Sequence, residues 1–265
     1  MNILDKIIER KKEELIQRKK GKSISDLRLS ELYSRKRLSL RNSLLDTEKS
    51  GIIAEFKRKS PSKGTINNIS SVEEVTGAYA KNGASGLSVL TDQEFFGGST
   101  EDLMRARVNQ IPILRKDFMI DEYQVIEARS MGADIILLIA ACLTPKRVEE
   151  LAAAAKGEGL EVLLEIHNED ELKHICDDVD LVGVNNRNLK DFQVDVETSV
   201  RLSGLIPGDK IKISESGIDN ISAIQRLKVF GYKGFLMGEY FMKQPDPSIA
   251  FARFVQQLKT STNAT

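Results

Sequence analysis

From Gly51 onward the chain repeats one unit, a short apolar run followed by a stretch of helical periodicity. The apolar runs fall at 51–56, 86–90, 111–114, 134–139, 160–166, 181–184, 210–213 and 234–237. Each is too short for a buried helix and has the length of a strand. The segments between them, such as 72–82, 121–131, 146–158, 169–176 and 221–230, place apolar residues at helical spacing. Gly83, Gly132, Gly159 and Gly231 stand just past several of these segments, where a left-handed glycine commonly ends a helix. Strands alternating with helices, with no hairpin signal between them, predict a parallel sheet. Eight such units in about 215 residues fit a closed (β/α)8 TIM barrel better than an open doubly wound sheet. An open sheet would more often carry a GxGxxG turn after its first strand, and the chain has none there.

The first fifty residues are of another kind. Residues 3–20 set Ile3, Leu4, Ile7, Ile8, Leu15 and Ile16 among many charges, which predicts an amphipathic helix. A lysine-rich helix can be a nucleic-acid arm, but Asp5, Glu9, Glu13 and Glu14 are interleaved, so a solvated face is the better expectation. Residues 39–50 are polar and carry no strong signal. The expected organisation is therefore a single barrel domain over 1–265, with 1–50 as an N-terminal helical extension.

Composition removes several function classes. Lys plus Arg and Asp plus Glu both number 39, so no net field draws the chain to nucleic acid or to a membrane surface. Two cysteines make no disulfide framework, and His167, His174 and Cys176 fit no zinc spacing, so no metal is expected. There is no signal-peptide core, and no apolar run approaches the roughly 18 residues of a membrane span, which predicts a cytoplasmic protein.

Catalytic groups of such barrels stand at the C-terminal ends of the strands. The first run continues into Glu55 and Lys57, and the third into Arg115-Lys116-Asp117-Phe118. The fifth ends at Glu165, the sixth at Asn185-Asn186-Arg187, the seventh at Glu215-Ser216-Gly217 and the eighth at Gly238-Glu239. Any one of these could be an ordinary rim ion pair, but together they would crowd one mouth. Side chains alternate along a strand, so Ile53, Glu55 and Lys57 share a face, as do Leu163 and Glu165, Ile213 and Glu215, and Gly183, Asn185 and Arg187. Glu55, Lys57, Lys116 and Glu165 are thus the candidate acid–base group. Gly217 and Gly238 open the loops after strands seven and eight, where barrels often bind phosphate on backbone N–H groups. Glu239 would then donate its amide while its carboxylate faces away from the anion.

These motifs resemble those of the indole-3-glycerol phosphate synthase family. Glu55-Phe56-Lys57-Arg58-Lys59-Ser60-Pro61-Ser62 is similar to its long signature. Leu163-Leu164-Glu165-Ile166-His167, Val182-Gly183-Val184-Asn185-Asn186-Arg187-Asn188-Leu189, Ser214-Glu215-Ser216-Gly217 and Phe235-Leu236-Met237-Gly238-Glu239 follow in the family's order. The resemblance covers essentially the whole chain, N-terminal extension included. It implies the small-molecule substrate 1-(2-carboxyphenylamino)-1-deoxyribulose 5-phosphate, loss of carbon dioxide and water, no cofactor and a monomer. Lys116 is implied as the acid for ring closure, with Glu165 assisting dehydration or stabilising the cation. Lys57 would hold phosphate, act as the dehydration acid, or both, and Glu55 would position Lys57 or act as base. Asn185 would bond the ribulose hydroxyls, with Glu215 and Ser216 holding that network. Arg187 would take the anthranilate carboxylate or brace the mouth. Phe96, Phe118 and Leu137 would form the aryl pocket, and Ser60 would touch the substrate carboxylate or phosphate. For the lysines to act, partial burial and mutual repulsion should lower their pKa values. The rival expectations are another sugar-phosphate barrel, such as phosphoribosylanthranilate isomerase or the tryptophan synthase alpha subunit, and a barrel that binds a phosphorylated ligand without turning it over.

Overall fold

The computed structural model describes residues 3–189 and 192–262, so the ends of the expected 1–265 span lie outside the described residues. Within it, eight parallel strands close into a barrel: β1 (Ile52–Phe56), β2 (Gly86–Leu90), β3 (Ile113–Lys116), β4 (Ile135–Ile139), β5 (Glu161–Ile166), β6 (Leu181–Asn185), β7 (Ile211–Glu215) and β8 (Tyr232–Met237). Neighbours in the ring are neighbours in sequence, and β8 returns to β1 with Ile53 opposite Leu236. Outward-facing residues such as Ile52, Ala54, Val89, Ile136 and Val182 pack under the helices. Inward-facing Ile53, Leu114, Ile135, Leu137, Leu163, Leu181, Ile213 and Leu236 fill the barrel. The two-residue alternation thus sorts every strand into a helix side and an inner side.

Several boundaries differ from expectation, each for a local reason. The third strand begins at Ile113 rather than at 111, because Pro112 has no N–H for the ladder. It therefore extends far enough to include Lys116, which points inward. The segment 169–176 is a 3₁₀ turn, Glu169–His174, without a side-chain cap from Asn168, rather than an α-helix. A C-terminal helix, Pro247–Thr262, and short helices at Thr100–Ala106 and Glu197–Leu202 complete the outer ring.

The N-terminal extension plugs one end of the barrel and borders the other. Residues 39–50, read as featureless, contain helix Leu40–Leu45, capped by the Ser39 side chain at Asn42 N–H. Leu40 and Leu44 join the inner apolar cluster and plug the N-terminal end. Gly86 and Gly234 make room for them: a Cβ at Gly86 would stand 2.7 Å from Leu40 Cδ1. Glu161 accepts hydrogen bonds from the N–H groups of Leu40 and Arg41 at 2.8 and 3.1 Å. At the opposite end helix α1 (Ile3–Gly21) brings Ile3, Leu4 and Ile7 over the mouth. Its charged face is not wholly solvated. Lys11 is only 1% exposed and pairs with Asp92 and Asp117, each at 3.0 Å, and with Glu14 at 2.9 Å.

Candidate active site

A cavity of about 570 Å³ opens at the C-terminal end of the strands. Its wall includes every residue expected at the site: Glu55, Lys57, Ser60, Phe96, Lys116, Phe118, Leu137, Glu165, Asn185, Arg187, Glu215, Ser216, Gly217, Gly238 and Glu239. Leu137 forms part of the apolar floor, and the Phe96 and Phe118 rings stand 6.1 Å apart on one side.

Charge is arranged here in alternating signs. Lys57 Nζ lies 2.7 Å from Glu55 Oε1, and Ser88 donates to the other Glu55 oxygen at 3.2 Å. Lys116 Nζ lies 3.1 Å from Glu165 Oε2 and 3.8 Å from Glu215 Oε2. The expectation of two mutually repelling lysines is therefore corrected: each amine has its own carboxylate. Burial pulls the Lys116 pKa down, but Glu165, Glu215 and Glu55 together outweigh it, so Lys116 is held above the usual lysine range. Burial favours neutral carboxyls at Glu55 and Glu165, yet the neighbouring cations win and both lie below the usual carboxylate range. Glu215 is the exception. Burial, then the nearby charge of Glu165, raise it to about 8 against the opposing pull of Lys116. Its Oε1 is buried with no hydrogen-bond partner among the described residues.

Glycines let these carboxylates cross the barrel. A Cβ at Gly183 would stand 2.1 Å from Glu215 Oε1, so any side chain there would displace the carboxylate. A Cβ at Gly238 would come within 2.8 Å of Glu55 Cβ. Ser216 and Gly217 both have positive φ, 67° and 74°, a turn that Asn186 Nδ2 steadies by donating to Ser216 O at 3.0 Å.

Two other details depart from expectation. Asn185 donates to Glu165 Oε1 at 3.1 Å rather than joining a Glu215–Ser216 network. The Glu239 carboxylate does not turn away from the mouth; its Oε2 pairs with Arg187 at 3.3 Å, and Lys63 lies 3.9 Å from Oε1. Arg187 also donates to Phe192 O at 3.3 Å, so the guanidinium braces the mouth in this structure.

Two further groups stand at the site. The apolar residues of α1 line the cavity, which helical periodicity alone could not assign to a partner. His167 stands 3.3 Å from Glu165 through Nε2 and 3.2 Å from Glu171 through Nδ1. Its signal was present: it follows Glu165 by two, as Lys57 follows Glu55.

Among the described residues no group of acidic, histidine and cysteine side chains is arranged to hold a metal, and no helix is long and apolar enough to cross a membrane. Paired amines and carboxylates beneath an aromatic wall, at the functional end of a (β/α)8 barrel, define an enzyme of the acid–base class. Comparison with known proteins gives the family. The family model for indole-3-glycerol phosphate synthase matches residues 4–254. The indole-3-glycerol phosphate synthase of Bacteroides thetaiotaomicron is 46% identical over 261 residues, covering 97% of this chain and 99% of that protein. Proteins of the same name from a Polaromonas species and from Acinetobacter baylyi are 42% and 43% identical, covering 95% and 94% of this chain and 97% and 94% of their own lengths. The chain belongs to the indole-3-glycerol phosphate synthase family.

Proposed function

We propose that the chain converts 1-(2-carboxyphenylamino)-1-deoxyribulose 5-phosphate to indole-3-glycerol phosphate, carbon dioxide and water, as a carboxy-lyase, with the charged groups of the mouth dividing the proton transfers among them. The observation that carries this reading is the Lys116 ammonium, set between Glu165 and Glu215 and beside the Phe96–Phe118 wall.

The aryl carbon bearing the carboxylate attacks the ketose carbonyl, whose oxygen needs a proton as the new carbon–carbon bond forms. Lys116, held protonated by its carboxylates, is the donor. Attack removes aromaticity and leaves a cation, which the ionised Glu165 stabilises at close range. Loss of carbon dioxide returns its bonding electrons to the ring. The new hydroxyl then departs as water, and the second acid is Lys57, aimed by Glu55 at 2.7 Å. The Glu55 carboxylate is the base that collects the last proton. Glu215, neutral over much of the working range, offers a hydroxyl donor to the ribulose chain. Phosphate sits on the backbone N–H groups around Gly217 and Gly238, where an absent side chain permits close approach. Ser60 completes the loop above it, and Arg187, released from Glu239, meets the substrate carboxylate.

The test is direct because the chain contains no tryptophan. Incubated with the substrate, the protein should generate indole fluorescence over a background free of tryptophan emission. No indole chromophore at saturating substrate would leave a binding barrel as the surviving reading.

A further inference from the structure

The charged chain of the mouth does not stop at Glu165. His167 lies two residues on, and its ring is nine-tenths buried between two carboxylates. Nε2 approaches Glu165 Oε1 at 3.3 Å, and Nδ1 approaches Glu171 Oε2 at 3.2 Å. The same Glu171 oxygen accepts from the His167 backbone N–H at 2.7 Å, while Asn168 Nδ2 donates to the other at 3.1 Å. Glu171 is itself pinned, since His174 Nδ1 lies 3.0 Å from its carbonyl oxygen and His174 Nε2 3.0 Å from Leu143 O. Burial favours a neutral imidazole, but Glu165 and Glu171 outweigh it and push His167 up to about 10. Around this ring stand Glu165 and Glu171, with Lys116 and Glu215 across Glu165 and the Cys142 thiol nearby, itself pushed up by burial and by both carboxylates.

We propose that His167 is a positioning residue for ring closure, an imidazolium braced by Glu171 that keeps the Glu165 carboxylate charged while Lys116 gives up its proton. This inference rests on the reaction proposed above. The need for it follows from the geometry. Lys116 is the cation facing Glu165 Oε2, and it becomes neutral at the moment positive charge appears on the substrate. A buried carboxylate that loses its only cation tends to recapture a proton. His167 faces the other oxygen and takes no part in the transfer, so its charge persists through the step.

His167→Gln retains an amide donor near Nε2 and removes the charge. The expected result is a kcat lower by about tenfold with KM little changed. The acidic limb of the kcat profile should move upward by about one pH unit, because Glu165 loses a cation within reach. Glu171→Gln should move the same limb in the same direction by less. A folded His167→Gln enzyme whose acidic limb matches the parent would overturn the proposal, whatever its kcat. Nitrogen-15 shifts of the His167 ring give a readout without substrate: an imidazolium at pH 7.5, titrating at lower pH in Glu165→Gln. A neutral ring in the parent at that pH would also overturn it. Failure of the ring-closing reading would appear separately, as a parent enzyme that makes no indole.

Discussion

Two sides of one strand end hold very different kinds of buried charge. Arg115 reaches outward to Gln124 and Glu127 on the neighbouring helix, while Lys116 beside it faces the cavity. On the outer side the Arg115 guanidinium is bonded on several edges. Arg115, fully buried, donates to Thr91 Oγ1, Gln124 O, Asp117 and Glu127 at 3.2, 2.9, 3.0 and 2.7 Å. Asp117 accepts from Thr91 and Phe118 N–H and pairs with Lys11. On the inner side one carboxylate oxygen is left over: Glu215 Oε1 is buried without a hydrogen-bond partner among the described residues. Buried polar groups are ordinarily satisfied, so an unpartnered carboxylate oxygen lining the cavity leaves the inner side unfinished and open to a ligand group.

Paired substitutions on that strand break the comparison most sharply. Lys116→Met should abolish turnover, a loss of at least about 10²–10⁴-fold, while substrate still binds and the fold holds. Arg115→Met should do the reverse. It takes from Asp117 and Glu127 the guanidinium they share, leaving them Lys11 and Arg18 alone, and should destabilise the protein by about 3 kcal/mol in a urea titration. Near-normal kcat in Lys116→Met would remove it as the acid. Unchanged stability in Arg115→Met would mean that the outer network is not what holds the strand end.

A smaller effect separates the odd carboxyl from its neighbours. The raised pKa of Glu215 means that the folded protein keeps a proton that the unfolded chain releases near 4.5, holding it until about 8. Stability from this group is full below that lower value and is lost as pH rises toward the upper one, with a slope of up to about 1.4 kcal/mol per pH unit. Glu215→Gln cannot release the proton, so its stability should fall less between pH 5 and 8 than the parent's. Parallel thermal-melting curves for the two proteins over that window would show that Glu215 is ionised like Glu55 and Glu165.

The parity of the strands was readable before any coordinates. Spacing by two put Glu55 with Lys57, Leu163 with Glu165, and Asn185 with Arg187; all but Leu163, which packs in the inner apolar cluster, line the cavity. Which cation meets which anion was not readable. That depends on distances across the barrel, and those distances turned the expected lysine–lysine repulsion into two amine–carboxylate pairs. The Glu239 side chain escaped for the same reason, since its partner Arg187 lies fifty-two residues away in sequence. The Leu40–Leu44 plug was hidden because three leucines in a short polar stretch are too few for a periodic signal, and only the open end of the barrel gives Leu40 and Leu44 a destination.

Helix α1 offers the mildest test, since it touches both sides of the comparison. Ile3, Leu4 and Ile7 reach the unfinished inner side, and Lys11 completes the outer one. Deleting residues 1–21 removes apolar cover from the mouth, and it also uncovers Asp92 and Asp117. Carboxylates opened to water lose their partner without being left buried and bare, so the stability cost stays moderate. The expected outcome is a KM raised severalfold by loss of apolar contact, with the barrel still folding cooperatively. Lys11→Met keeps the helix docked and leaves both aspartates buried without their ammonium. It should therefore destabilise the protein more than the deletion does while shifting KM less. The opposite ranking would mean that α1 serves the barrel's stability first and the substrate only incidentally.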